Sequence, residues 1–476
     1  MAGPQVTRFL AGGEWRKSTG ERQDIVVNPA TGKAIATVRE CSSNDVDIAV
    51  RAAREAAADW STAPLPNRIA LLRALRESFA ARADEFALLI TRQMGTPLGF
   101  SRAAQIGLPL RTFDIVLAAA EQLEEEKLER SRIVRDPVGV VAAITPWNFP
   151  LHQIAAKIVP ALAAGCTVVL KPSEVTPLDA IRLAELIDQC GFPKGVFNLV
   201  PGAAETGRAL VGHADVDMVS FTGSTAAGRA IAEIAGRSLK KVSLELGGKS
   251  ANILLDDVDF TKVVPQSLAQ CFVNAGQTCA ALTRLLVPAE KFDEVEALAS
   301  SLLPSWQPAD PECTDTRMGP LSSLRQRARV AGLVERAIAD GARIAGSMPD
   351  LVMPVDGSAY FPPVVLSNVR PEMEIAQEEV FGPVLVVLPY RDEDDAIRIA
   401  NNSAYGLSGG VWSADLERAE AVARRLRTGQ VILNGAMLDM EAPFGGVGQS
   451  GLGRENGRHG LEEFYDLKAI TRPVAN

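Results

Sequence analysis

The sequence has few residues of the types that bind metals through nitrogen or sulfur. Its 476 residues include three histidines and six cysteines, and the cysteines, at positions 41, 166, 190, 271, 279 and 313, form no CxxC pair. These counts disfavour a zinc site, a disulfide framework and a cysteine–histidine catalytic pair. We therefore expect no bound metal and a reducing compartment, and any cysteine nucleophile must be assisted by something other than histidine.

Long apolar runs and an excess of positive charge are also absent. No run of about 18 uncharged apolar residues occurs, and the start, MAGPQVTRFLAGGEW, lacks the basic and then apolar order of a secretory signal. The formal net charge of -9 disfavours a polyanionic partner such as nucleic acid. We expect a cytoplasmic protein that acts on a small molecule and has neither a nucleic-acid nor a membrane partner.

The apolar pattern predicts an α/β protein with at least two domains. Residues 43 to about 130 carry apolar side chains three and four apart, which indicates amphipathic helices. Beyond them, short β-rich segments alternate with helical segments as far as residue 246, and a second such series begins near residue 250. This alternation is typical of parallel sheets covered by helices. The tail from residue 461 ends in a strand without a sequence neighbour, and such strands often complete another subunit's sheet.

Cys279 lies in FVNAGQTCAALTR, between a helix predicted over 261–277 and the predicted strand TRLLVPA. A free cysteine is more often a buried apolar residue than a nucleophile. However, Gly276 lets the backbone approach a ligand closely, and nearby main-chain N–H groups favour the nucleophilic thiolate. Cys279 is therefore a candidate nucleophile.

Two further residues have side chains suited to acyl chemistry. Glu245, in KKVSLELGGKS, alternates with apolar residues, so burial is expected to raise its pKa and to make it a general base. An ion pair with Lys249 is an equally good interpretation of this glutamate. Asn148, in TPWNFP, can donate its amide to an oxyanion, although asparagine is also common in ordinary turns.

Two segments, VVLKPSE and FTGSTAAGR, suit a nucleotide. The first places a lysine just beyond a predicted strand, and the second opens a predicted helix with a Gly-Ser pair, whose free N–H groups can bind pyrophosphate. By contrast, GLGRENG at 451–457 resembles a dinucleotide-binding loop, but its third glycine comes one residue late and no strand–helix–strand unit follows. We interpret it as a backbone turn.

Taken together, these segments resemble the aldehyde dehydrogenase superfamily over nearly the whole chain. The resemblance rests on eight ordered motifs: NPATG (28–32), TPWNFP, VVLKPSE, FTGST, LELGGKS, GQTC, EEVFGPV (378–384) and PFGGVGQSGLGRENG (443–457). It implies that Cys279 attacks the aldehyde and that the Asn148 amide and the Cys279 N–H hold the oxyanion. It also implies that Glu245 activates the water that hydrolyses the thioester.

The resemblance further implies a set of cofactor-binding and substrate-binding residues. Glu174 would face the adenine-side ribose and repel a 2′-phosphate, which favours NAD over NADP, although Lys171 beside it can offset that repulsion. Ala156 replaces a bulky aromatic residue of many relatives, which suggests a roomy tunnel for an apolar aliphatic or aryl aldehyde. The implied cofactor residues are Thr145, Trp147, Lys171, Glu174, Gly223, Ser224, Glu379 and Phe381, and the implied substrate pocket contains Phe149, Gln153, Ala156, Met437, Leu438 and Phe444.

The family fold implies two Rossmann-like parallel α/β domains and a small β-rich oligomerisation flap. We expect an NAD-binding domain at 1–118 and 138–247, a catalytic domain at 248–459, and a flap at 119–137 and 460–476. The flap implies a homodimer or a homotetramer. Two other functions stay open: a dehydrogenase that passes the acyl group to coenzyme A, and a catalytically silent binding protein of the same fold.

Overall fold

A computed structural model describes residues 4–346 and 357–473; the remaining residues of the predicted domains and flap lie outside the described part. The described chain forms two large, mainly parallel sheets and two small three-stranded sheets. Apolar clusters cover both faces of the first large sheet and surround the second. The two predicted α/β units are therefore present.

The first large sheet has eight strands, and its five central strands run parallel. The strand Val140–Ile144 is buried at every position, as expected for a parallel strand covered on both faces. Across the sheet the strands are Gly451–Leu452, Lys241–Glu245, Met218–Thr222, Val140–Ile144, Thr167–Lys171, Phe197–Leu199, Arg8–Ala11 and Glu14–Lys17. The helices of this half are Ser43–Thr62, Leu65–Ala80, Ala83–Met94, Leu98–Phe100, Gly107–Glu121, Pro150–Ala164, Leu178–Gln189, Ala204–Gly212 and Thr225–Gly236.

The second large sheet has seven strands, all parallel except the edge strand Arg343–Gly346. After that edge strand the order is Val364–Ser367, Val384–Tyr390, Arg284–Pro288, Ala251–Leu254, Ser408–Trp412 and Gln430–Leu433. Its α-helices are Phe260–Phe272, Phe292–Leu302, Leu324–Ala339, Glu374–Gln377, Glu393–Asn401 and Leu416–Ala423. Short 3₁₀ helices lie at Val273–Gly276, Ala289–Lys291, Leu303–Trp306 and Gly448–Ser450.

The chain's tail completes one of the small sheets. After the helix Gly457–Glu462, the strand Tyr465–Thr471 pairs antiparallel with Ser131–Pro137 along its whole length, and Glu126–Lys127 pairs on the other side. The predicted helical stretch to about residue 130 was wrong, because the last helix ends at Glu121. Residues 121–130 are highly charged and nearly all exposed, so they offer no apolar face for a helix to bury. The other small sheet contains Gln5–Val6, Lys33–Arg39 and Gln23–Asn28.

One continuous helical stretch, Leu98–Glu121, is long and apolar enough by length and composition to cross a membrane. In the structure its residues Phe113, Val116 and Leu117 are buried in the apolar core of the first half, together with residues of the helix Pro150–Ala164. Packing in that core accounts for its apolar composition. A π-helical segment, Ser101–Ile106, interrupts the stretch near its start.

Candidate active site

A cleft of about 730 Å³ opens where parallel strands of the first sheet end. The segments that follow the strands Val140–Ile144, Met218–Thr222 and Lys241–Glu245 form one wall, and residues from the second half form the other. Carboxyl ends of parallel strands are the usual position of ligand sites in such sheets. The lining residues are Pro146, Trp147, Asn148, Gln153, Thr222, Gly223, Ser224, Leu246, Gly247, Cys279, Gln326, Arg329, Glu379 and Phe381.

Cys279 follows a tight left-handed turn. The helix predicted to reach residue 277 ends at Phe272, because Asn274, Ala275 and Gly276 all have positive φ angles, of 55°, 55° and 71°. A Cβ atom on Gly276 would lie 2.2 Å from the main-chain oxygen of Gly382. This glycine therefore permits a close approach of the chain to itself at the turn before Cys279.

Cys279 is half-buried, and its surroundings oppose the thiolate form. Burial, followed by the negative charges of Glu379 and Glu245, raises the pKa of Cys279 to about 12. A hydrogen bond from the Ala280 N–H lowers this pKa but does not outweigh burial. The thiol is therefore protonated at neutral pH, and a positive charge in the cleft would be needed to favour the thiolate.

Asn148 lies in the same cleft as Cys279 and is buried. Its side-chain Nδ2 donates to the main-chain oxygen of Gln277 at 3.1 Å, two residues before the cysteine. An amide nitrogen carries two hydrogens, so a second hydrogen bond can be donated to a ligand. This arrangement suits the stabilisation of negative charge on an oxygen bound beside Cys279.

Glu245 ends its strand just before Leu246 and Gly247, which line the cleft. The side chain is 3 % exposed, and neither carboxylate oxygen has a hydrogen-bond partner among the described residues. Burial, and then the charge of Glu455, raises the pKa of Glu245 well above its ordinary value. The alternative ion pair is not formed, since the buried amine of Lys249 also lacks a partner within the described chain.

A buried ion pair lies close to Glu245. Lys157 Nζ contacts a carboxylate oxygen of Glu455 and donates to Thr222 Oγ1 at 2.6 Å. Thr222 is the residue opposite Glu245 in the neighbouring strand. The negative charge of Glu455 raises the pKa of Glu245 and the positive charge of Lys157 lowers it, so both groups influence the protonation of Glu245.

Other residues of the same cleft suit an anion and a flat ring. Ser224 caps the helix Thr225–Gly236 and accepts a hydrogen bond from the Ala227 N–H at 3.3 Å. Helix N-termini bind phosphate through main-chain N–H groups and the helix dipole. In the same cleft, the rings of Trp147 and Phe381 stand perpendicular with centroids 5.3 Å apart. Glu379 accepts a hydrogen bond from the Gly248 N–H at 3.0 Å.

Three sequence-predicted cofactor residues lie outside this cleft. Thr145 and Lys171 are buried at neighbouring strand ends, where the Thr145 N–H donates to the Lys171 oxygen at 3.1 Å. The Lys171 amine donates to the main-chain oxygens of Pro172 and Gly202 at 2.9 and 2.7 Å. Glu174 lines a second cleft of about 1020 Å³, together with Asp24 and Arg325.

Of the predicted substrate-pocket residues, Gln153 alone lines the main cleft. It is 6 % exposed, and its Oε1 has no hydrogen-bond partner within the described part. The helix that carries Gln153 also carries buried Ala156, and Phe149 packs edge-on against Phe100. The remaining three residues lie elsewhere: Met437 is 92 % exposed, Leu438 is half-buried, and Phe444 is buried where its backbone pairs with that of Glu455.

Sequence reasoning missed several polar residues at this site. Lys157 is the one charged residue in the helix Pro150–Ala164, where every residue is buried, and a lysine in so apolar a segment signals a buried partner. Gln326 and Arg329 gave no such signal, because they lie on an amphipathic helix; they donate to the main-chain oxygens of Phe381 and Glu379 at 2.8 Å each. Among the described residues no group of three metal-binding side chains is arranged to hold an ion.

Comparison with protein families identifies the chain. The model of the aldehyde dehydrogenase family matches residues 15–470. The chain belongs to the aldehyde dehydrogenase family. The predicted family, α/β fold class and enzyme class, an NAD(P)-dependent aldehyde dehydrogenase, are thereby confirmed.

Similar proteins support the same placement. This aldehyde dehydrogenase is 48 % identical to 3-succinoylsemialdehyde-pyridine dehydrogenase of a Pseudomonas species, over 97 % of this chain and 98 % of the relative. A cysteine-to-alanine mutant of Pseudomonas syringae aldehyde dehydrogenase C, solved with NAD+ and octanal, is 42 % identical with a TM-score of 0.97, covering 99 % and 98 % of the chains. A Mycobacterium tuberculosis aldehyde dehydrogenase solved with NAD+ is 38 % identical with a TM-score of 0.96, covering 100 % of both. These relatives agree with the expectation that NAD is the cofactor.

Proposed function

We propose that this aldehyde dehydrogenase oxidises an aldehyde to the carboxylic acid through a thioester on Cys279, with NAD as its cofactor. The supporting observation is the single cleft that combines Cys279, Asn148, Glu379 and the start of the helix Thr225–Gly236. When bound, NAD supplies a hydride acceptor and a positive charge near the thiol. That charge would oppose the burial and carboxylate effects that raise the pKa of Cys279.

In the first half of the reaction, Cys279 Sγ forms a bond to the aldehyde carbon and the thiol proton passes to water. The carbonyl oxygen gains negative charge, which the Asn148 amide and the Cys279 N–H stabilise as hydrogen-bond donors. Loss of a hydride from the same carbon restores the carbonyl bond and leaves a thioester on Cys279. Trp147 and Phe381 line the cleft where the acceptor ring would lie.

In the second half, Glu245 takes a proton from a water molecule as the water oxygen attacks the thioester carbon. The C–S bond then breaks, the acid departs, and the proton on Glu245 passes to the sulfur, which restores the Cys279 thiol. A carboxylate whose pKa is raised by burial is a stronger base than an exposed one.

Two other functions predict different behaviour. A dehydrogenase that transfers its acyl group to coenzyme A would not need a general base for water, yet buried Glu245 carries a strongly raised pKa beside the cleft. A silent binding protein would have no reason to place Cys279 and Asn148 in one cleft, or to bury the unpaired Glu245 next to Leu246 and Gly247 of its lining. Neither alternative is favoured by a specific observation.

We expect Glu174→Ala to weaken the binding of NAD and to strengthen the binding of NADP relative to that of NAD. Two carboxylates, Glu174 and Asp24, and one guanidinium, Arg325, line the second cleft, and burial together with the charges of Glu40 and Glu174 raises the pKa of Asp24 to about 6. A ribose that binds at Glu174 gains a hydrogen bond, whereas a 2′-phosphate is repelled. The change in relative affinity should be about 1 to 3 kcal/mol.

Dissociation constants for NAD and NADP, measured by titration of wild type and variant, check this prediction. Glu185→Ala provides the control, because Glu185 is a partly exposed glutamate outside both clefts that forms an ion pair with Arg182 on a helix. An unchanged ratio of the two constants in Glu174→Ala would contradict a ribose contact.

For the substrate, we propose an aldehyde with an apolar aliphatic or aryl body and one uncharged polar group. The amide oxygen Oε1 of Gln153, which lines the cleft, is buried without a hydrogen-bond partner among the described residues, and pairing such an atom is worth about 1 kcal/mol. A panel of aldehydes of equal length, with and without a hydroxyl or keto group, should therefore rank the polar members about 5- to 10-fold higher in kcat/KM. Equal values across the panel would contradict a role of Gln153 in selection.

We further propose that the chain forms a homodimer or a homotetramer through the flap. The strand Tyr465–Thr471 pairs on one side only, and its apolar residues Leu467 and Ile470 are 71 % and 47 % exposed. An exposed edge strand with apolar side chains is a surface on which a second strand can pair. The predicted domain boundaries and the cytoplasmic location stay predictions.

A further inference from the structure

The interrupted helix at Leu98–Glu121 contributes a buried amide to the active site. Its π-helical segment, Ser101–Ile106, contains Gln105, which is 0 % exposed. Gln105 Nε2 donates to the main-chain oxygen of Asn148 at 2.9 Å. π-Helical turns within α-helices occur frequently at functional sites. This irregular turn therefore has a direct contact with the residue that we assign to the oxyanion.

A second amide donates to the same oxygen from the opposite half of the chain. Asn274 Nδ2 lies 3.0 Å from the Asn148 oxygen, so this carbonyl accepts from two side-chain amides. Thr96 Oγ1 donates to Asn274 Oδ1 at 2.9 Å, which fixes which end of the Asn274 amide faces Asn148. The left-handed φ of 55° at Asn274 is a conformation that asparagine tolerates better than most residues.

The same bonds connect Asn148 to the segment that carries Cys279. Asn148 Nδ2 donates to the Gln277 oxygen at 3.1 Å, and Gln277 Nε2 donates to the Asn274 oxygen at 3.1 Å. Gln277 Oε1 accepts from the Ser322 N–H at 2.8 Å. All the side chains in this network are buried, so solvent does not compete for the bonds. The position of the Asn148 amide relative to Cys279 is therefore set by side chains that do not line the cleft.

We propose that Gln105 and Asn274 are positioning residues that clamp the Asn148 carbonyl and so hold its side-chain amide at the oxyanion position. The proposal rests on the role of Asn148 in the proposed function. A displacement of about 1 Å at a reacting centre can cost about 10²-fold in rate, so loss of either clamp residue should slow acylation. If Gln105 and Asn274 were purely structural, their loss would lower the stability of the fold, and its effect on the rate would not depend on the Asn148 amide.

A double-mutant cycle separates these two roles. We expect Gln105→Met and Asn274→Gly each to lower the single-turnover rate of NADH formation about 10- to 100-fold, with little change in NAD affinity. Glycine retains the left-handed conformation at position 274, and methionine fills the space of glutamine. In an Asn148→Ala background, which keeps the clamped carbonyl but lacks the amide, neither change should lower the rate further.

The matched control is Gln93→Met. Gln93 is also a fully buried glutamine, but it bonds to Asp179 and to the Leu178 N–H and lies outside the cleft. The Gln93→Met change should lower the midpoint temperature of thermal unfolding without slowing acylation. The clamp would be overturned if Gln105→Met and Asn274→Gly slowed acylation as much in the Asn148→Ala background as in the wild-type background. Either variant alone is enough for this test if the other fails to fold. An unaltered rate in Asn148→Ala alone would instead contradict the proposed role of Asn148 and, with it, the clamp.

Discussion

Replacing Cys279 with alanine is expected to lower the kcat of NAD-dependent aldehyde oxidation by about 10⁴-fold or more. Every later step depends on the bond between Cys279 Sγ and the aldehyde carbon, and no other cysteine lines the cleft. Alanine removes the sulfur and leaves the remaining walls of the cleft in place, so NAD affinity should stay close to that of wild type. The two measurements are steady-state NADH formation and titration of NAD binding.

Cys313→Ala is the control for this change. Cys313 is an exposed free thiol, so its loss should leave both turnover and NAD affinity unaltered. If Cys279→Ala retained turnover near that of wild type, Cys279 would not be the nucleophile. If Cys279→Ala lost both turnover and NAD affinity, the cysteine would be needed for the structure of the cleft. The loss of turnover would then not identify Cys279 as the nucleophile.

Glu245→Gln should separate the two halves of the reaction. Acylation needs Cys279 and Asn148, whereas release of the acid needs a water molecule activated by Glu245. Loss of a general base typically costs about 10² to 10⁴ in rate. We expect a burst of NADH of at most one equivalent per active site, then very slow turnover, and an acyl adduct on Cys279 visible by intact mass.

The amide in this variant has the shape of the carboxylate, and Glu245 makes no hydrogen bond to the described residues that the change would break. Glu233→Gln is a suitable control, because Glu233 is an exposed glutamate paired with Arg237 on a helix surface. A steady-state rate equal to that of wild type in Glu245→Gln would refute the assignment of Glu245 as the general base. Loss of the burst as well would indicate that Glu245 deprotonates Cys279 itself.

The periodic pattern of the sequence was enough to place most helices and strands, and it failed where local backbone or charge decided the structure. The helix predicted over 261–277 stops at Phe272, because three successive residues take left-handed conformations that apolar spacing does not reveal. The helix predicted to reach residue 130 stops at Glu121, because the charged residues beyond it have nothing to pack against.

At the site, motifs pointed to Cys279, Asn148 and Glu245, but the electrostatics required the folded chain. The pKa of Cys279 rises because the folded chain removes water from its thiol and because the charges of Glu379 and Glu245, which are distant in sequence, act on it. Likewise, Gln105 and Asn274 bond to one carbonyl oxygen although 169 positions separate them, and a single sequence does not show such pairing. Lys157 was the exception, because a lone charge in an apolar helix is visible in the sequence.

The central claim is that a thioester forms on Cys279 and is hydrolysed by water. The most direct test is the stoichiometry of NADH and free carboxylic acid formed by the wild-type enzyme from one aldehyde and NAD, with and without coenzyme A. We predict one acid for each NADH, no acyl-coenzyme A, and the same rate in both reactions. A requirement for coenzyme A, or acyl-coenzyme A as the product, would contradict hydrolysis, and the absence of NADH formation across the aldehyde panel would contradict the proposed activity itself.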